Sequence, residues 1–84
     1  MLRLLYFAQL AEQLGRTLDE VERPAEVTDA AALLNWLRLR GSPWNAVFAV
    51  GNAMRITVNR KFADPGSAIV DGDEIGFFPM PQRD

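Results

Sequence analysis

The 84-residue sequence contains no cysteine and no histidine. Without cysteine there is no disulfide framework, no thiolate metal site and no thiol nucleophile, so stability has to come from packing. Without histidine the commonest general base and the commonest metal ligand are both missing. No autonomous catalysis and no resident cofactor are therefore expected. Basic residues are also scarce: nine Lys and Arg against eleven Asp and Glu give a net charge of −2. No basic stripe could neutralise a row of phosphates, and a nucleic-acid partner is not expected. Long apolar runs are lacking as well. Met1-Leu2-Arg3-Leu4-Leu5-Tyr6-Phe7 is too short for a signal segment and nothing approaches membrane-spanning length, so a cytoplasmic protein with no membrane partner is expected.

A chain of this size has room for one modest core, and its apolar residues are patterned to build one. Leu2 to Phe7 reads as a strand with Leu2, Leu4 and Tyr6 on one face and Arg3, Leu5 and Phe7 on the other. Ala8 to Leu14 is composed of helix formers, and Gly15 is placed to end that short helix in the left-handed conformation. Thr17 to Glu22 suits a return strand forming a hairpin with the first, ended by Pro24. The clearest helical signal runs from Thr28, an N-cap candidate, to Arg40, with Ala30, Leu33, Leu34 and Leu37 on one stripe. Ser42 to Ala53 is an irregular connection whose apolar content suggests some strand. Met54 to Asn59 alternates with period two, with Ile56 and Val58 inward. Asp64-Pro65-Gly66 and Asp71-Gly72-Asp73 have turn chemistry, and Glu74 to Phe78 is the last strand. The pattern of hairpin, long helix and further strands is α+β, with the first and last strands side by side at the centre of a mixed four- to five-stranded sheet. This is a β-grasp arrangement. The expected organisation is a domain over residues 1–79 followed by an extended tail over 80–84, because Pro79 and Pro81 lack the amide protons a sheet needs.

Three stretches carry a resemblance: Leu4-Leu5-Tyr6-Phe7-Ala8-Gln9-Leu10, Thr57-Val58-Asn59, and Asp71-Gly72-Asp73-Glu74-Ile75-Gly76-Phe77-Phe78-Pro79. In this order and spacing the chain resembles the small subunit of molybdopterin synthase, a ubiquitin-like sulfur carrier. The resemblance implies a role in molybdenum-cofactor biosynthesis. It also implies two partners: an adenylating activating enzyme, which prepares the carrier's terminal carboxylate for conversion to a thiocarboxylate, and the large synthase subunit, which receives the tail. Such carriers end in Gly-Gly. The two glycine positions are held here by Arg83 and Asp84, and no Gly-Gly pair occurs in the sequence. One alternative reading is a protein-interaction module that binds a synthase-like partner without carrying sulfur; another is that the natural chain ends differently. The tail from Met80 spans about 17 Å when extended, enough to enter a partner's pocket.

Leu5, Phe7, Phe77, Phe78, Pro79, Met80 and Pro81 are the candidate partner-facing residues, since an apolar sheet face turned away from the helix needs a covering surface. Either a loop of this chain or a partner could supply it. Asp64, Asp71 and Asp73 lack calcium-loop spacing and are better explained as turn residues. Lys61, the only lysine, reads as solvated, Trp36 as helix-edge packing, and Trp44 as a loop anchor. Arg55, Arg60 and Lys61 are close in sequence, but strand alternation separates their directions and they are assigned no ligand.

Overall fold

The computed structural model describes residues 1–49 and 54–79. Alternation decides the first strand, β1 (Leu2–Tyr6): Leu2, Leu4 and Tyr6 are buried, while Arg3 is exposed and Leu5 half-buried. A short helix, α1 (Gln9–Leu14), follows and stops where expected. Gly15 sits at φ 72° and its amide donates to the Ala11 carbonyl at 2.9 Å, a left-handed cap that a residue with a Cβ adopts only at a cost. The chain returns as β2 (Leu18–Val21), antiparallel to β1 with Leu5 opposite Leu18 and Arg3 opposite Glu20.

The main helix, α2 (Ala30–Arg38), buries Ala30, Leu33 and Leu37. Its cap is Asp29, not Thr28. The Asp29 carboxylate accepts from the Ala32 amide at 2.8 Å, while the Thr28 carbonyl is engaged by the Ile69 amide in a bridge to the 63–70 loop. That loop also supplies the Ser67 and Pro65 carbonyls to the Ala30 and Ala31 amides, so the first three amides of the helix are satisfied. The cap lies one residue later than expected because it is Asp29 that has extended backbone (φ −146°, ψ 173°) and a side chain within reach of the Ala32 amide.

Within the 42–53 connection, where some strand is expected, the described residues 42–49 hold a helical turn, α3 (Trp44–Val47), and no strand. One turn places Trp44 and Phe48 on the same side, their rings 6.1 Å apart, and both enter the core. Val50 to Ala53 lie outside the described residues. The sheet resumes with β3 (Met54–Val58), turns through Asn59 and Arg60 into the short β4 (Lys61–Phe62), and ends with β5 (Glu74–Pro79). Strand order is β2-β1-β5-β3-β4, with β1 and β5 parallel at the centre and all other pairs antiparallel. This is the expected β-grasp sheet. One face packs Leu2, Leu4, Ile75 and Phe77 against α2 and α3; the other is turned away from the helices.

Candidate functional site

The outward face is built by the same alternation that builds the core. In β5, Ile75 and Phe77 point inward and are fully buried, which sends Glu74, Gly76 and Phe78 outward. Alternation sends one phenylalanine of the pair to each face, and the inclusion of Phe77 among the candidate partner-facing residues is corrected: it has no accessible surface and stacks inside on Tyr6 at 5.7 Å, so Phe78 is the one that faces outward. Parallel register pairs Leu5 with Gly76 and Tyr6 with Phe77, which brings Phe7, just past β1, alongside Phe78. Their rings are 4.3 Å apart and 2° from parallel. From the other side β3 sets Thr57 opposite Gly76 and Arg55 opposite Phe78.

Gly76 is central to this arrangement. A Cβ there would lie 2.5 Å from Thr57 Oγ1 and 3.3 Å from both the Phe7 and the Phe78 ring. With no side chain at 76, a groove of about 740 Å³ runs over the sheet, floored by Leu5, Phe7, Gly76 and Phe78 and flanked by Phe62 and Leu18. Phe62 is 72% exposed, Leu18 41% and Phe7 37%, so no loop among the described residues covers the face. Phe62, Leu18, Gly76 and Thr57 are not singled out by sequence spacing alone. Their signal lies in the period-two positions of the strands, but it needs the cross-strand register to be read.

Arginines rim the groove. Glu74 lies between Arg3, at 3.9 Å, and Arg60, at 3.8 Å, and the Arg55 guanidinium lies 5.2 Å above the Phe62 ring. Arg55 and Arg60 thus share a face, contrary to the expectation that alternation separates them. The reason is the turn between β3 and β4: Asn59 (φ 52°) and Arg60 (φ 70°) both take left-handed backbone, which closes a two-residue hairpin with Val58 opposite Lys61. Asn59 pins that turn. Its side chain donates to Asp73 Oδ1 at 2.9 Å and accepts from the Glu74 amide at 3.0 Å, and its own amide donates to the Glu74 carbonyl at 2.7 Å.

Pro79 ends β5 opposite Met54, one residue beyond Phe78, so the segment that follows starts at the Phe7–Phe78 end of the groove. Met80, Pro81, Arg83 and Asp84 lie outside the described residues.

A second polar cluster sits at the other side of the core. Asp19 receives Arg40 at 3.0 Å and Arg16 at 3.3 Å, and the Arg40 guanidinium lies 4.1 Å over Trp44 and 5.3 Å over Trp36. The buried Tyr6 hydroxyl points there without a hydrogen-bond partner of good geometry. Burial, reinforced by the Asp19 charge, raises the Tyr6 pKa well above the usual phenol range; the charges of Arg40 and Arg16 oppose this. Trp44 is buried and anchors its helical turn, and Trp36 is half-buried at the helix edge. Among the described residues no three Asp or Glu side chains cluster as a metal site, and no helix is long and apolar enough to cross a membrane.

The fold and this face define a ubiquitin-like β-grasp protein with one open apolar sheet surface. Residues 4–82 match the ThiS family, and the chain belongs to it. It is 32% identical over 79 residues to the molybdopterin synthase sulfur carrier subunit of Haemophilus influenzae, with 94% of each chain covered. It is 29% identical over 79 residues, again 94% of each chain, to the protein of the same name from Escherichia coli. Among solved structures it superposes on SAMP1 from Haloferax volcanii with a TM-score of 0.74 at 22% identity, over 99% of this chain and 98% of that one.

Proposed function

We propose that this chain is the sulfur carrier subunit of a molybdopterin synthase, with no catalysis of its own. The observation that carries the reading is the stacked pair of Phe7 and Phe78 on the uncovered sheet face, immediately beside the point where the chain leaves β5 at Pro79. A domain that docks by this face delivers whatever follows Pro79 into the partner it has docked on. The partners are the large synthase subunit and an adenylating activating enzyme, and the compartment is the cytoplasm. Leu5, Phe7, Phe78 and Pro79, continued by Met80 and Pro81, form the contact. Full-length similarity to two proteins named as molybdopterin synthase sulfur carrier subunits supports the assignment.

A second reading, a module that docks without carrying sulfur, follows from the expectation that Arg83 and Asp84 stand where such carriers have glycines. A tail without side chains threads a narrow channel more readily than one bearing a guanidinium and a carboxylate. The two readings separate when the native chain and an Arg83→Gly, Asp84→Gly variant are each incubated with activating enzyme, ATP and a sulfur donor, and intact masses are compared. Exchange of one oxygen for sulfur on the native chain supports the carrier. Exchange on the variant alone supports the docking module.

A further inference from the structure

We infer that the groove selects its partner by charge as well as by apolar contact: it fits a protein surface whose apolar centre is bordered by carboxylates. The inference rests on the docking role proposed above and adds the sign of the partner's charge.

The whole chain carries a charge of −2, yet the residues lining the groove include three arginines, Arg3, Arg55 and Arg60, against one carboxylate, Glu74. The local charge is opposite to the global one. Glu74 cannot neutralise the rim. It is shared between Arg3 and Arg60 at 3.9 and 3.8 Å, the long end of ion pairing, and the Arg60 side chain remains 88% exposed. Arg55 has no carboxylate within ion-pairing distance among the described residues and rests on the Phe62 ring. Glu20, opposite Arg3 on β2, lies beyond the groove's lining.

Arg60 is also held in place at a cost. A non-glycine residue at φ 70° is disfavoured, and the three hydrogen bonds that Asn59 makes to Asp73 and Glu74 fix the turn that requires it. The result is an arginine whose backbone is fixed at the mouth of an apolar groove and whose side chain stays in solvent. Arginines around an aromatic floor suit carboxylates at the rim of a protein interface, where they steer encounter and reject partners of like charge. A second copy of this chain is a poor occupant, because a two-fold pairing of this face sets arginine rim against arginine rim.

The test is calorimetric titration of the full chain with the large subunit of molybdopterin synthase at about 50 mM and about 500 mM salt, a range over which screening of exposed charges changes strongly. The variants are Arg55→Gln, Arg55→Glu and Arg3→Glu, with Lys61→Glu as a control on the edge strand outside the groove. Expected is a wild-type affinity that falls with salt, a loss of about tenfold or more in each arginine-to-glutamate variant at low salt with a flatter salt dependence, a smaller loss in Arg55→Gln, and a change within about twofold in Lys61→Glu. Thermal unfolding of each variant establishes that it is folded. If the wild type binds and the charge-reversed variants bind equally well at both salts, the charge selection is wrong and the docking role stands. If the folded wild type does not bind at all, the docking role fails and this inference fails with it.

Discussion

The rings of Phe7 and Phe78 lie face to face at 4.3 Å although the two residues are seventy-one positions apart, Phe7 directly after the first strand of the sheet and Phe78 in the last. Parallel pairing of β1 with β5 is what brings them together, and the absence of a side chain at Gly76 keeps the floor beside them clear. A double-mutant cycle of Phe7→Ala and Phe78→Ala should give a coupling of about 0.5–1.5 kcal/mol in urea unfolding, the range for stacked aromatic pairs. A coupling near zero would mean that the stack contributes no more than its buried area.

Gly76→Ala should be costly twice over. The new methyl meets Thr57 Oγ1 at 2.5 Å, and overpacking of this kind costs about 1–3 kcal/mol. It also intrudes on the groove floor. Both the unfolding midpoint and the affinity for a docking partner should drop, and pairing it with Thr57→Ala should recover much of the stability. Failure of that second change to restore stability would show that the clash with Thr57 is not the cause.

Asp29→Ala should cost about 1 kcal/mol by removing the acceptor for the Ala32 amide, whereas Thr28→Ala should cost much less, because only the Thr28 backbone is used. Chemical denaturation of the two variants checks this directly. Equal losses would contradict the assignment of the cap to Asp29.

Much of this fold is legible in the amino-acid sequence alone. Alternation over residues 2–6 and 74–78 marks both central strands, and Gly15 marks the end of α1. What sequence spacing misses depends on contacts between distant segments. Thr28 and Asp29 are both cap-type residues, and the pairing of this segment with the 63–70 loop fixes the helix start so that Asp29 is the one that caps. The helical turn at 44–47 within the irregular 42–53 connection is not visible in the sequence, because it depends on Trp44 and Phe48 reaching the core from one side. At the site, Phe7 is readable from alternation, but which of Phe77 and Phe78 faces outward is settled only by the cross-strand register. The role of Arg60 is not readable, since it depends on two consecutive left-handed residues that strand periodicity does not foresee.

Tyr6 supplies a pH prediction. Its pKa in the folded chain is raised, chiefly by burial, so the unfolded chain loses this proton first, near the ordinary phenol value of about 10. The Tyr6 contribution is therefore fully present below about pH 10 and declines as pH rises above it. Tyr6→Phe should remove that part of the alkaline decline. At neutral pH it should change stability by no more than about 1 kcal/mol, because the hydroxyl it deletes is buried with no hydrogen bond of good geometry and only the Arg40 guanidinium as a nearby donor. Urea midpoints at neutral and alkaline pH for both proteins measure the effect, and marked destabilisation at neutral pH would show that the hydroxyl is bonded after all.

The central claim is that the Phe7–Phe78 face docks on the large subunit of molybdopterin synthase. The most direct measurement is a titration of that subunit with the wild-type chain and with the Phe78→Ala variant, after thermal unfolding has shown both to be folded. Expected are a saturable one-to-one complex for the wild type and a loss of affinity of about tenfold or more for Phe78→Ala, in keeping with an aromatic anchor at the centre of an interface. No complex with the wild type, or equal affinity for both chains, would contradict the claim.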